Sequence, residues 1–260
     1  MTILIGTPNN RGLISTIHFQ MVVALMDYMR ENRPQTPIHH KISSCAIAGF
    51  GRNALASMVM ADPQYSHLLL IDPDLSVPAP VVTAMLDFDK PVVACPYPTR
   101  DWDRQVFADI ARRVDDVAVA EACAATYVGG DESLIFANTP QGRRPISQGA
   151  FARVSSCGAG LVLIRREVFD IIAARRPDVL TNSPTSDYAK IGFTGERAIE
   201  CFEHAAHLPS HLAAEGASFS RLWIDDCGGE IWTNMEATIM RQTEYRFVGH
   251  FASKLKLGMI

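Results

Sequence analysis

"HLLLIDPDLSVP", His67 to Pro78, sets four consecutive apolar residues directly before two aspartates that lie two positions apart. Leu68–Ile71 is apolar at every position, as expected of a parallel strand whose alternating side chains are buried on both faces. In an open parallel sheet, ligands bind beyond the carboxyl ends of the strands, which is where Asp72 and Asp74 fall. Residues two apart on an extended segment point the same way. The pair is therefore expected to present hard oxygen donors on one side, suited to Mn²⁺ or Mg²⁺ with phosphates as further ligands. A plainer reading, with Asp72 capping a turn and Asp74 solvated, stays open, because an isolated D-x-D is a common pattern.

On either side of the aspartates the chain alternates. Residues 2–7 read as a buried strand, Pro8–Gly12 as a loop, and Ser15–Arg30 as a helix with Ile17, Met21, Val22, Leu25, Met26 and Met29 at helical spacing. Ile38–Ile47 reads as a strand, Arg52–Ala61 as a helix, Pro80–Phe88 as a helix with proline in its first turn, and Pro91–Cys95 as a strand. This β-α-β-α-β-α-β order predicts an α/β fold with an open, mostly parallel sheet flanked by helices. The second half is less regular. Residues 101–114 and 115–125 read as helical, Gly129–Gly149 as loop with a short hairpin, and Val154–Ile164 as a strand interrupted by Cys157-Gly158-Ala159-Gly160. A helix is expected over Arg166–Arg175, a mobile flap over 177–211, and a short strand over Glu230–Thr233. With no repeat and no linker, the 260 residues are expected to form one domain.

Composition narrows the classes. Hydrophobic residues are 48% and charged residues 20%, enough apolar area for a sizeable core. A net charge of −4 argues against a protein that coats DNA. No run approaches the roughly 20 apolar residues that span a bilayer, and the N-terminal MTILIGTPNN lacks the basic flank and cleavage site of a signal peptide. Six cysteines without C-x-x-C spacing suit reduced thiols, so a cytoplasmic location is expected.

Five segments in order carry a resemblance. "SSCAIAGFGRNALASMVM" has a serine-rich strand followed by Arg52-Asn53. "HLLLIDPDLSVPAPVVTAMLDFDKPVVACPYPTR" joins the D-x-D to Tyr97, Pro98 and Arg100. "SSCGAGLVLIRREVFD" holds a G-x-G. "EGASFSRLW" is followed by "GGEIW". Together these resemble a bacterial and phage group of GT-A type nucleotide-sugar glycosyltransferases, similar to glycosyltransferase family 2, over about Ile3 to Phe251. The resemblance implies a GT-A, Rossmann-like fold with an irregular acceptor-side C-terminal half. Residues 1–100 would be its nucleotide-binding half and 101–260 its acceptor-binding half.

It also implies chemistry. Transfer from a nucleoside diphosphate sugar, here expected to be UDP-linked, requires neutralising the leaving diphosphate and, in inverting enzymes, a carboxylate that takes the acceptor's proton. By resemblance Asp74 would bind the metal, and Asp72 would reach the ribose or the metal through water. Thr7 and Pro8 would line the base pocket, Arg52 would meet the nucleotide or diphosphate, and Gly158 and Gly160 would let backbone approach the donor sugar. Two departures stand out. The group's E-D pair falls on Glu215-Gly216, which leaves Glu215 as a candidate base with Asp225 and Asp226 as rivals. Its metal-ligating histidine falls on Arg241, with His250 as a nearby alternative. Arginine has a fork suited to phosphate oxygens, so Arg241 could assist or partly replace the metal. A catalytically silent sugar-nucleotide-binding protein and a nucleotidyltransferase are the competing classes; the glycine-rich basic loop of the latter is poorly matched by "TPNNRGLIS". The acceptor is left open among a glycan, a lipid and a modified nucleic acid. "GRRP" and "KLKLGMI" could touch it or be solvated surface, and the latter could be a contact in a homo-oligomer.

Overall fold

A computed structural model describes residues 1–9, 12–140, 142–182, 184, 186–203, 215–243 and 246–258. Its strands are β1 Thr2–Asn9, β2 Ile38–Ser44, β3 Tyr65–Ile71, β4 Leu75–Ser76, β5 Val92–Ala94, β6 Tyr97–Trp102, β7 Ala125–Val128, β8 Phe136–Thr139, β9 Gly142–Pro145, β10 Ser147–Gln148, β11 Phe151–Val154, β12 Leu161–Arg165, β13 Leu180–Asn182, β14 Arg197–Ile199, β15 Ile231–Asn234, β16 Thr238–Gln242 and β17 Arg246–His250. The helices that matter below are α1 Thr16–Asn32, α2 Ala48–Ala61, α3 Ala79–Asp87, α4 Arg104–Ala111, α5 Val117–Ala124 and α6 Arg166–Arg175.

Eight strands form the central sheet in the order β10-β11-β15-β5-β12-β3-β1-β2. Strands β2, β1, β3, β5, β15 and β10 run one way, and β12 and β11 run against them. The sheet is mixed α/β and mostly parallel in direction, with helices on both faces. It draws strands from both halves of the chain.

The apolar run before the aspartates behaves as its composition requires. Leu68 and Leu70 enter the core on the side of α2 and α6, and Leu69 and Ile71 enter the core on the side of α1 and α3. All four are fully buried. The ladder continues one residue past the strand, because Asp72 N donates to Gly160 O at 2.8 Å. By the same alternation, Asp72 points to the α2 side.

Helix α1 is capped by Ser15, whose side chain accepts from His18 N at 3.2 Å and satisfies one free N–H of the first turn. Met21, Val22, Leu25 and Met29 bury its inner face, while Met26, expected inside, is exposed. Helix α2 starts four residues earlier than expected and is buried along most of its length. Two of its polar residues secure the end of β14 and the chain that follows it. Asn53 Oδ1 accepts from Phe202 N at 2.8 Å, and Ser57 Oγ accepts from Ile199 N at 2.9 Å. Phe202 then stacks on Phe219 with ring centroids 4.9 Å apart.

Several sequence expectations are corrected. Residues 101–103 belong to β6 and its following cap; α4 begins only at Arg104, where Asp103 accepts from Gln105 N and Val106 N. Within 177–203 a 3-10 turn, the β13–β14 pair and a short helix Ser186–Lys190 replace the expected flap, and 204–214 lie outside the described residues. A second sheet, β17-β16-β4, was not foreseen. The helix Glu215–Arg221 and its π-helical continuation Leu222–Asp226 lie where the sequence pattern predicts no element. The β8–β9 hairpin does form within 129–149. All six cysteines are free, and no helix among the described residues is long and apolar enough to cross a membrane.

Ser57→Ala should leave the buried Ile199 N–H without a partner and cost about 1–3 kcal/mol. Urea unfolding monitored by circular dichroism will read this as a lower midpoint with an unchanged slope.

Candidate active site

The aspartates do not project from an extended segment. Leu75 N donates to Asp72 O at 3.0 Å, so Asp72-Pro73-Asp74-Leu75 is a turn. Ser15 N donates to Pro73 O at 2.9 Å and ties the turn to the start of α1. After the turn, β4 pairs with β16 in the register Leu75↔Arg241. Gln242 N adds a bond to Asp74 O at 2.8 Å. This small sheet delivers Arg241 onto both carboxylates.

Three arginines converge there. Arg52, in the first turns of α2, reaches the strand tip because Asp72 faces that helix. Its Nη2 donates to Asp72 Oδ1 at 2.6 Å, its Nε donates to Ala159 O at 3.2 Å, and its Nη1 lies 3.8 Å from Glu215 Oε1. Arg241 donates from Nε to Asp74 Oδ2 at 3.1 Å, from Nη1 to Pro98 O at 2.8 Å, and from Nη2 to Asp72 Oδ2 at 3.4 Å. Its guanidinium carbon stands 5.1 Å from the Tyr97 ring centroid, within cation–π range. Arg100, more exposed, donates to Asp74 Oδ2 at 2.9 Å. Burial alone would lower the pKa of Arg52; the charges of Asp72 and Glu215 more than offset it, and the net direction is upward.

Tyr97 underlies the group. Gly160 N donates to its hydroxyl at 3.0 Å. Burial first, and the Asp72 charge second, push its phenol above the ordinary value, so it stays neutral. The glycines of the interrupted strand make this packing possible. A Cβ on Gly160 would lie 2.5 Å from Asp72 Oδ2 and 2.6 Å from the Tyr97 hydroxyl; one on Gly158 would lie 2.5 Å from that hydroxyl and 2.5 Å from Val128 Cγ1. Tyr97, Val128 and Asp72 are the groups that approach these glycines.

The group opens into a cavity of 590 Å³ lined also by Pro8, Leu13, Ile14, Ser15, Ala48 and Thr243. Pro8 lines this cavity. Thr7 is buried and does not line it, with its hydroxyl 3.0 Å from His18 Nε2 and 3.0 Å from His40 Nε2. His18 Nδ1 faces Leu75 O at 3.1 Å. A neutral His18 must donate from Nδ1 to that carbonyl, so its Nε2 accepts from the Thr7 hydroxyl, and Thr7 in turn accepts from His40 Nε2–H. His18 could have been found in the sequence, since it shares the inner face of α1 with Met21, Val22, Leu25 and Met29.

The remaining candidates separate. Glu215 stands beside Arg52, with its Oε1 3.8 Å from Nη1, but is not itself among the residues lining the aspartate cavity. Gly216 is buried against the interrupted strand, where a Cβ would collide with Cys157 O and lie 2.7 Å from Ala159 N. That contact is a physical reason for glycine where an aspartate was expected. Asp226 pairs with Arg176 and lines a different cavity of 420 Å³, together with Asp225, Glu200, Glu203 and Arg221. His250 ends β17, opposite Thr238, and its Nδ1 bonds Ser253 Oγ at 2.9 Å; it does not line the aspartate cavity.

A divalent cation would need carboxylate oxygens from this set. Asp72 Oδ1, Asp72 Oδ2 and Asp74 Oδ2 are each in an arginine pair, and Asp74 Oδ1 alone is buried without a hydrogen-bond partner. Among the described residues, no three His, Cys, Asp or Glu side chains gather as metal ligands. A donor set so engaged with guanidiniums does not fit a resident Mn²⁺ or Mg²⁺.

No family model matches the chain, and no curated protein matches it. Among solved structures it is similar to A197 from STIV, at 12% identity over 96% of this chain and 94% of that one, with a TM-score of 0.46. A likeness of that size carries no argument about function.

The histidines make stability depend on pH. Burial, reinforced for His40 by His18 and for His67 by Arg165, lowers His40 and His67 to about 4, and burial lowers His18 as well. Above the ordinary value of 6.5 all three are neutral whether folded or not. Below it the unfolded chain takes protons that the folded chain refuses, so stability falls as pH drops from 6.5 toward 4. Thermal melts across that window should show Tm falling with pH. His40→Gln, which keeps an amide donor for Thr7, should flatten the slope.

Proposed function

We propose that the cleft binds a nucleoside diphosphate sugar, UDP-linked, and that the chain transfers the sugar to an acceptor hydroxyl on a GT-A type scaffold. One observation carries this reading: Arg52, Arg100 and Arg241 meet Asp72 and Asp74 beyond the carboxyl ends of β1 and β3, in a cavity of 590 Å³. Guanidiniums match phosphate oxygens in geometry and charge, and the ends of parallel strands are where open α/β sheets hold ligands. The ordered sequence segments favour a sugar nucleotide among phosphorylated ligands.

In this reading the arginines stabilise the charge that develops on the leaving diphosphate. Pro8 and the Leu13–Ser15 segment form the wall on the nucleotide side. Glu215 is the base: it accepts the acceptor hydroxyl's proton while that oxygen bonds the anomeric carbon and the bond from that carbon to the diphosphate oxygen breaks. Asp226, paired with Arg176 in another cavity, takes no part. Tyr97 and the two glycines position Asp72 and Arg241 without touching the ligand.

The test is UDP release from a panel of UDP-sugars by purified protein. Glu215→Gln should lower the rate by about 10²–10⁴-fold and leave UDP affinity within a few fold. Affinity for UDP with no sugar released would instead mark a silent binding protein. Release of pyrophosphate would mark a nucleotidyltransferase.

A further inference from the structure

The pairing inside the cleft gives the aspartates a different task from cation binding. Asp72 holds Arg52 at 2.6 Å and Arg241 at 3.4 Å, and Asp74 holds Arg241 at 3.1 Å and Arg100 at 2.9 Å. Resting on the donor-binding reading above, we propose that these acids orient an arginine clamp that itself hydrogen-bonds the diphosphate, so that the donor binds without a divalent cation.

Charge and geometry both lead there. Three guanidiniums face Asp72, Asp74 and Glu215, so the described cluster is formally balanced before any ligand arrives. A dication would have to draw carboxylates out of arginine pairs whose side chains are mostly buried. Arg52 is 8% exposed and Asp72 16%, and Arg241 is 10% exposed and Asp74 14%. Removing one partner from such a pair leaves an uncompensated charge in low dielectric. Asp74 Oδ1, the one oxygen left over, belongs to a carboxylate already held by two guanidiniums, which would repel a dication.

The arginines are built for the alternative. Arg52 and Arg241 are each fixed by a main-chain carbonyl as well as by an aspartate, through Ala159 O and Pro98 O. Their orientation is therefore set before the ligand enters, and such preorganised charge is the effective kind. Arg100 is the least restrained member: its side chain is 54% exposed and is held by one bond to Asp74. Of the five donors a guanidinium carries, most remain free on Arg100 to close over a phosphate.

Calorimetric titration of the full chain with UDP, in EDTA and again with Mn²⁺, reads the proposal. The two affinities should agree within about twofold, and Mn²⁺ alone should keep its free-ion electron paramagnetic resonance signal. Arg100→Gln, an exposed change that leaves the fold intact by circular dichroism, should weaken UDP binding in EDTA by about tenfold, the worth of one charge-assisted bond. Arg241→His removes a buried cation and sets an imidazole beside the two acids. It should lose affinity in EDTA and regain part of it with Mn²⁺. UDP binding that requires Mn²⁺ in the unaltered chain would overturn the clamp while leaving the donor reading in place. No UDP binding under either condition would overturn both. If Arg241→His does not fold, Arg100→Gln decides, and undiminished binding by that variant counts against the clamp.

Discussion

Asp72 is the point on which the site turns. It extends β3 by one ladder bond to Gly160, and its two oxygens receive Arg52 from twenty positions earlier and Arg241 from 169 positions later. A carboxylate so little exposed loses much of its hydration, and attraction to one arginine does not reliably repay that loss. Two arginines, each also bonded to a main-chain carbonyl, leave few polar groups unsatisfied. The cost of assembling such a cluster at a strand tip is a reason to look for function there, since the sheet would be held together by its apolar faces without it.

The supporting shell follows from fitting those groups together. Gly160 has no Cβ because Asp72 and the Tyr97 hydroxyl occupy the space. Tyr97 then provides both an acceptor for Gly160 N and a ring near Arg241. Behind the turn, the neutral His18–Thr7–His40 chain ends on the Leu75 carbonyl, one residue after Asp74. It holds the turn's far side in place by hydrogen bonds alone. A charged imidazole there would add a proton where His18 Nε2 must accept one.

Six of the eight central strands were legible because they obey simple periods; β10 and β11, two and four residues long, were too short to show one. Leu68–Ile71 is apolar at every position and is buried on both faces, and the alternation with α1, α2 and α3 could be read from the spacing of apolar residues. The β4–β16 pairing could not be read, since Leu75–Ser76 is two residues long and a period needs more. For the same reason Arg241 was expected near the phosphates by its place in a resemblance, while its grip on both aspartates depended on a contact between segments 166 residues apart, Leu75 and Arg241. The D-x-D was expected to act through an extended backbone; the proline turn brings its acids together by another route.

Gly216 shows how a missing residue can be a consequence of packing. The helix Glu215–Arg221 approaches the interrupted strand so closely that any side chain at 216 would strike the Cys157 carbonyl. The same approach is held by Cys157 N, which donates to Ser220 Oγ at 3.1 Å, while Ser218 Oγ accepts from Glu203 N at 3.0 Å and ties the helix to the chain after β14. A carboxylate could sit at 216 only if the helix withdrew, and withdrawal would break those buried bonds and carry Glu215 away from Arg52. The glycine and the glutamate are thus coupled: the absence of a side chain at 216 is what lets the one at 215 stand beside the arginine.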